Sequence, residues 1–160
     1  MVTAGFEGAR VTSVVRSTGQ TTAGQMLLTQ NGDRLFAVDR RRTVSVYDTS
    51  DLSLIATVET APDDFAEAAE LDSNDNLYVT YMNDGEIPTD PDAAFVDPRR
   101  FYTVFDRNLV ELRSVDYPSE AGGALSSLQA TALSGDDQRI IFLRQEFTTG
   151  ALEVNLFSIN

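Results

Sequence analysis

No lysine, histidine, cysteine or tryptophan occurs in the 160 residues. Each absence removes a class of chemistry. Without cysteine there is no disulfide framework, no thiolate metal site and no thiol nucleophile. Without histidine the commonest general base and zinc ligand is gone, and with it the usual serine triad. No apolar run approaches the ~20 residues that cross a bilayer. The opening stretch, MVTAGFEGARVTSVVRST, lacks a basic n-region and an apolar h-region. It is not expected to be a secretory signal, so the expected place of synthesis is the cytoplasm. Helical patterning is also scarce. Only DDFAEAAELD is rich in helix formers, and it reads equally as a strand.

What is present is acid. Asp and Glu number 25 against 12 positive residues, all of them Arg, for a net charge of −13. Such a surface repels nucleic acid and anionic membranes, so neither nucleic-acid binding nor membrane insertion is expected. An acidic, lysine-free, arginine-only chain resembles proteins of extreme halophiles, in which dense carboxylates hold water and cations. A GC-rich genome that favours Arg codons would produce the same arginine bias.

The remaining sequence alternates apolar and polar residues at period two, broken by NGD, SNDN, SGDDQ and TTG. Gly, Asn and Asp there supply the positive φ and local hydrogen bonds of tight hairpins. Three segments align: LLTQNGDRLFAVD, AELDSNDNLYVTY and TALSGDDQRIIFL. They make Leu35, Leu77 and Ile140 equivalent. TVSVYD, YTVFD and EVNLFS then make Tyr47, Phe105 and Phe157 equivalent, 58 and then 52 residues apart. The pattern predicts one domain of three repeats. Repeat one (25–60) has strands 25–30, 34–39, 43–48 and 53–60. Repeat two (66–117) has strands 66–72, 77–82, 101–106 and 110–117, with an insert at 83–100. Repeat three (128–159) has strands 128–133, 139–145 and 151–159 and lacks a fourth. Residues 9–18 alternate like a strand and belong to no repeat. Pairing them as the missing fourth strand, in the same chain or a partner, would cover an exposed edge.

VYDTSDLSLIATV resembles the end of a YVTN-type or WD-type β-propeller blade. In those families the third strand closes on an aromatic or aliphatic pair plus Asp. Tyr47-Asp48 and Phe105-Asp106 match, Phe157-Ser158 departs, and no Gly-His or Trp-Asp pair is present. The resemblance implies an all-β, propeller-like fold of four-stranded antiparallel blades. Propellers have four to eight blades, so three leave open flanks. A two-fold dimer forming a six-bladed ring closes them. A three-repeat sandwich or barrel, or capping by a different protein, closes them equally.

Few residues read as a site. Asp84, Glu86, Asp90, Asp92 and Asp97 in the insert supply oxygen ligands for a hard cation such as Ca²⁺, although the spacing fits no standard loop. Ile87, Phe95 and Phe101 are candidate anchors for a protein partner. Arg40, Arg41 and Arg42 fall at one second-to-third strand turn, and Arg99 and Arg100 at the matching turn of repeat two. Together they form a candidate cationic docking rim. Sialidase-like propellers need Asp-boxes, which are absent. Lactonase-like propellers set Glu, Asn and Asp on inner strands around a divalent cation, and only Gln30 and Glu70 stand out here. The resulting expectation is a protein without catalytic residues. It would be a structural or docking component of a larger assembly, self-associating and bound to other proteins. Its concrete form would be a virion capsid, vertex or surface component of a halophilic virus. The competing expectation is a propeller that binds a carbohydrate or metabolite on its axis, with or without hydrolysing it.

Overall fold

Eleven strands, and no helix, form the residues described by this computed structural model: 24–40, 43–83, 99–116, 126–146 and 149–159. The first sheet contains β1 (Gln25–Leu28), β2 (Arg34–Val38), β3 (Thr43–Asp48) and β4 (Leu54–Glu59). The second contains β5 (Asp64–Leu71), β6 (Leu77–Asn83), β7 (Arg99–Phe105) and β8 (Glu111–Asp116). The third contains β9 (Ser126–Leu133), β10 (Arg139–Glu146) and β11 (Leu152–Ser158). Every sheet is an antiparallel meander in chain order, so each strand pairs with the next. The fold is all-β and propeller-like. Among the described residues the third sheet has three strands, and the expected closing strand at 9–18 lies outside them. The ambiguous DDFAEAAELD resolves as β5. Alternate residues of β5 pack on different neighbours, which overrides its alanine-rich helix propensity.

The innermost strands adjoin, β1 beside β5 and β5 beside β9. Close approach at the start of β1 needs glycine. A Cβ on Gly24 would stand 1.9 Å from the Val38 carbonyl oxygen. Two hydrogen bonds, one between strands and one from a strand to the β2–β3 turn, tie neighbouring sheets. The Ala69 N–H donates to Gln25 Oε1 at 2.5 Å, and the Ala66 N–H donates to the Arg40 carbonyl at 2.9 Å.

The core lies between the sheets. Because side chains alternate, every strand has one face toward the preceding sheet and one toward the following sheet. We call these back and front. Between the first and second sheets, front residues Phe36, Val38, Val44 and Val46 meet back residues Leu77, Val79, Tyr81, Phe101 and Phe105. Between the second and third, front residues Tyr78, Tyr102 and Val104 meet back residues Ile140 and Phe142, with Phe157 alongside. Tyr81 stacks on Phe101 and Phe142 meets Phe157 edge-on. Phe101, a candidate anchor in the sequence, is therefore a core residue. A bulge between Ala66 and Ala68 breaks the β5 ladder, and the buried Thr80 hydroxyl bonds both the N–H and the carbonyl of Ala68 at 3.1 Å.

The repeat register carries into three dimensions. Leu28–Leu35–Tyr47–Leu54, Leu71–Leu77–Phe105–Glu111 and Leu133–Ile140–Phe157 are the same back row in three sheets. The row differs in cover. Phe105 and Ile140 are buried, whereas Tyr47 is only half-buried because no described sheet lies behind the first. Phe105→Ala and Phe36→Ala should each cost about 3–5 kcal/mol in urea melts of the isolated chain. Tyr47→Ala should cost clearly less when the melts are run on protein that sediments as one chain, and equal costs at all three there would contradict this placement.

Candidate functional site: two open sheet faces

The front of the third sheet carries the rows Ala132–Ile141–Leu156 and Ala130–Leu143–Val154, with Leu152 next to them. Val154 is 67% exposed, Leu152 65% and Leu156 58%. The equivalent front positions in the first sheet are Phe36, Val38, Val44 and Val46, all buried. The back of the first sheet carries Leu28–Leu35–Tyr47–Leu54 and Met26–Ala37–Ser45–Thr57. Met26 is 77% exposed and Leu28 59%. None of these four rows contains a charged residue, in a chain of net charge −13. Contiguous apolar faces of this kind mark interaction surfaces.

Turns at one end of the sheets add polar clasps. Asp75 and Asp137 both adopt positive φ, at 62° and 54°. Asp75 accepts the Gln30 N–H at 2.9 Å, and Asp137 accepts the Ser73 N–H at 3.0 Å and its hydroxyl. Each carboxylate thus reaches back to the turn of the preceding sheet. In the β1–β2 turn of the first sheet the left-handed position is Gly32, at φ 73°, which has no side chain to reach with. Arg107 adds an ion pair to Asp33 at 2.6 Å, and Arg113 donates to the Ile159 carbonyl at 2.7 Å.

Titration follows from these contacts. Partial burial pushes Asp33 up, but the Thr29 hydroxyl and the Arg107 and Arg34 guanidinium groups outweigh it and hold the carboxyl below its ordinary value. The Ser50 hydroxyl and N–H lower Asp48, the Ser53 N–H lowers Asp51, and the Ser134 hydroxyl lowers Asp136. Burial raises Glu70, on the front of β5 in the row with Tyr78, and raises the Tyr78 and Tyr81 phenols. Lowered carboxylates stabilise the fold above their unfolded pKa near 3.8, and that contribution is lost as pH falls through the folded values. Glu70 has the opposite sign: folding favours its protonated form, and stability drops as pH rises through its folded value. Glu70→Gln should therefore raise the denaturation midpoint at pH 7, and the gain should fade below pH 4.5, the ordinary value of the group. A midpoint gain that persists unchanged at pH 3 would contradict this.

The described arginines of the expected rim differ in exposure. Arg40 is exposed at the β2–β3 turn, while Arg41 and Arg42 lie outside the described residues. Arg99 opens β7, pairs with Asp116 at 2.6 Å and lies 4.5 Å above the Phe101 ring. Arg100 turns inward. It is buried on the front of the second sheet, and Arg144 is buried on the back of the third, so both face the same junction. Thr131 and Asn155 are buried on the Arg144 side. This junction is the polar end of an otherwise apolar contact. Sequence reasoning found Arg100 but missed Arg144, whose only signal was a charged residue at a back-facing position of an apolar strand. Ile87, Phe95, Asp84, Glu86, Asp90, Asp92 and Asp97 lie outside the described residues. Among the described residues no group of acids is placed to hold a metal ion. Of the inner-strand polar candidates, Glu70 is on β5, whereas Gln30 sits in the turn after β1. No helix among the described residues is long and apolar enough to cross a membrane.

No family model matches the chain, and no curated protein matches it. Solved structures do. The periplasmic gluconolactonase of Pseudomonas aeruginosa superposes with a TM-score of 0.53 at 18% identity, over 86% of this chain and 42% of that one. The Cps50 (Swd1) β-propeller domain of Myceliophteria thermophila gives a TM-score of 0.38 at 15% identity, over 88% of this chain and 54% of that one. The chain thus spans roughly half, or less, of the structures it matches. At these identities the likeness concerns the fold. It also corrects one expectation, that the chain has no enzymatic role. A gluconolactonase is an enzyme built on this fold. Lack of His and Cys removes only the chemistries of those side chains, and carboxylates, Arg and Tyr remain able to act as acids, bases and charge stabilisers.

Proposed function

We propose that the chain is a structural docking module of a larger assembly. The observation that carries this reading is the pair of open sheet faces whose central rows are apolar and uncharged, with Val154 67% and Met26 77% exposed. A domain with one such face at each flank gains most of its remaining apolar burial by packing against other protein. The concrete form is a virion component (capsid, vertex or surface protein) of a halophilic virus. The acidic, arginine-only composition supports the salt-rich setting. The insert, bounded to 84–98 between β6 and β7, with Ile87 and Phe95, would make further protein contacts together with the exposed Arg40 and Arg99. Ca²⁺ on the insert acids is the other role assigned to that segment.

Two experiments test the reading. In gradient sedimentation of extract from producing cells in molar KCl, the chain should travel in a particle far larger than a small oligomer. Sedimentation as a free chain or small oligomer would overturn the assembly. Melts of the purified chain should shift upward from low to molar KCl, because salt screens the self-repulsion of a net −13. Flat midpoints would remove the halophilic setting.

A further inference from the structure

We infer that the partner of each open face is a second copy of this chain, docked front to back, so that two chains close one ring of six sheets. The inference rests on the docking reading above and names its occupant.

The argument is continuity with the two junctions already inside the chain. Both have the same construction. The front rows of one sheet, centred on Phe36, Val44 and Val46 or on Tyr78, Tyr102 and Val104, cover the back row of the next, centred on Leu77 and Phe105 or on Ile140 and Phe157. The two unused faces are one of each kind. The third sheet offers a front, Ile141, Leu143, Val154 and Leu156, at positions equivalent to Phe36, Val38, Val44 and Val46. The first sheet offers a back, Leu35 and Tyr47, at positions equivalent to Leu77 and Phe105. These faces complement each other, while two fronts or two backs repeat the same face. In a two-fold pair, each copy's front meets the other's back and no face remains open. Six sheets fall within the range of closed propellers. The central rows of both faces carry no charge, and Arg139 on the front and Glu59 on the back lie in the rows that flank them, so two acidic chains meet there without placing carboxylates opposite one another.

The absence of native cysteine makes a clean test. Val154→Cys lies on the open front and Ala37→Cys on the open back. Their counterparts Val44 and Val79 belong to one core cluster, as do Tyr102 and Phe142. The double variant is treated in molar KCl with a short bis-maleimide suited to the ~10 Å separation of packed sheets. Circular dichroism checks that each variant keeps its strand signal. The expected result is a covalent two-chain product from the double variant and none from either single variant. A cross-linked single chain would mean that three sheets close on themselves, and overturns the inference. A ladder of longer products would mean an open filament, and also overturns it. Two-chain products from Val154→Cys alone would show front-to-front contact, with the same consequence, as would the absence of any product. Loss of the ring leaves the docking reading standing on its own sedimentation result, and the reverse also holds.

Discussion

Front-to-back packing of sheets is the constraint on which everything else in this molecule depends. A strand in a one-sided sheet alternates apolar and polar. A strand packed on both faces must be apolar at nearly every position. LYVTYMN in β6 and RRFYTVF in β7 are of the second kind, and both faces of the second sheet are covered. RLFAV in β2 and the IIFL run of β10 are written the same way, yet each belongs to a sheet with one face open. The outer sheets thus carry the sequence of interior sheets. That mismatch, more than any polar cluster, defines the functional surface.

The polar groups serve the same geometry. Asp75 and Asp137 occupy left-handed turn positions and aim carboxylates at the preceding turn, so each fixes the stagger between sheets as well as closing its own hairpin. Arg113 reaches from β8 to the carbonyl of Ile159 across the next junction. Arg100 and Arg144 enter the same junction from opposite sides, where burial is costly for an unpaired guanidinium and neither is without partners. These contacts are side-specific. They favour ordered, unidirectional stacking over random association of greasy faces.

Much of this architecture was legible in the chain. The equivalence of Leu35, Leu77 and Ile140, and of Tyr47, Phe105 and Phe157, survives as shared rows on the back faces. Strand β3 falls at Thr43–Asp48, the span read from TVSVYD. Period-two patterning and turn residues act locally, which is why they can be read from one sequence. The contacts between sheets were not legible, because they join residues such as Ser73 and Asp137 with no local signal linking them. Burial of Arg100 was hidden for a similar reason: a cluster of adjacent arginines reads as surface until register shows that one of them points into a junction. The exclusion of catalysis failed differently. It treated missing His and Cys as missing chemistry, while the fold is shared with an enzyme whose name assigns nothing to particular residues here.

Solution mass in molar KCl, by light scattering coupled to size exclusion, tests the central claim most directly. The account predicts twice the 17.5 kDa of one chain, falling to one chain when Leu156→Asp places charge on the open front. A mass of one chain for the unaltered protein, with the same strand signal and no concentration dependence, would contradict it.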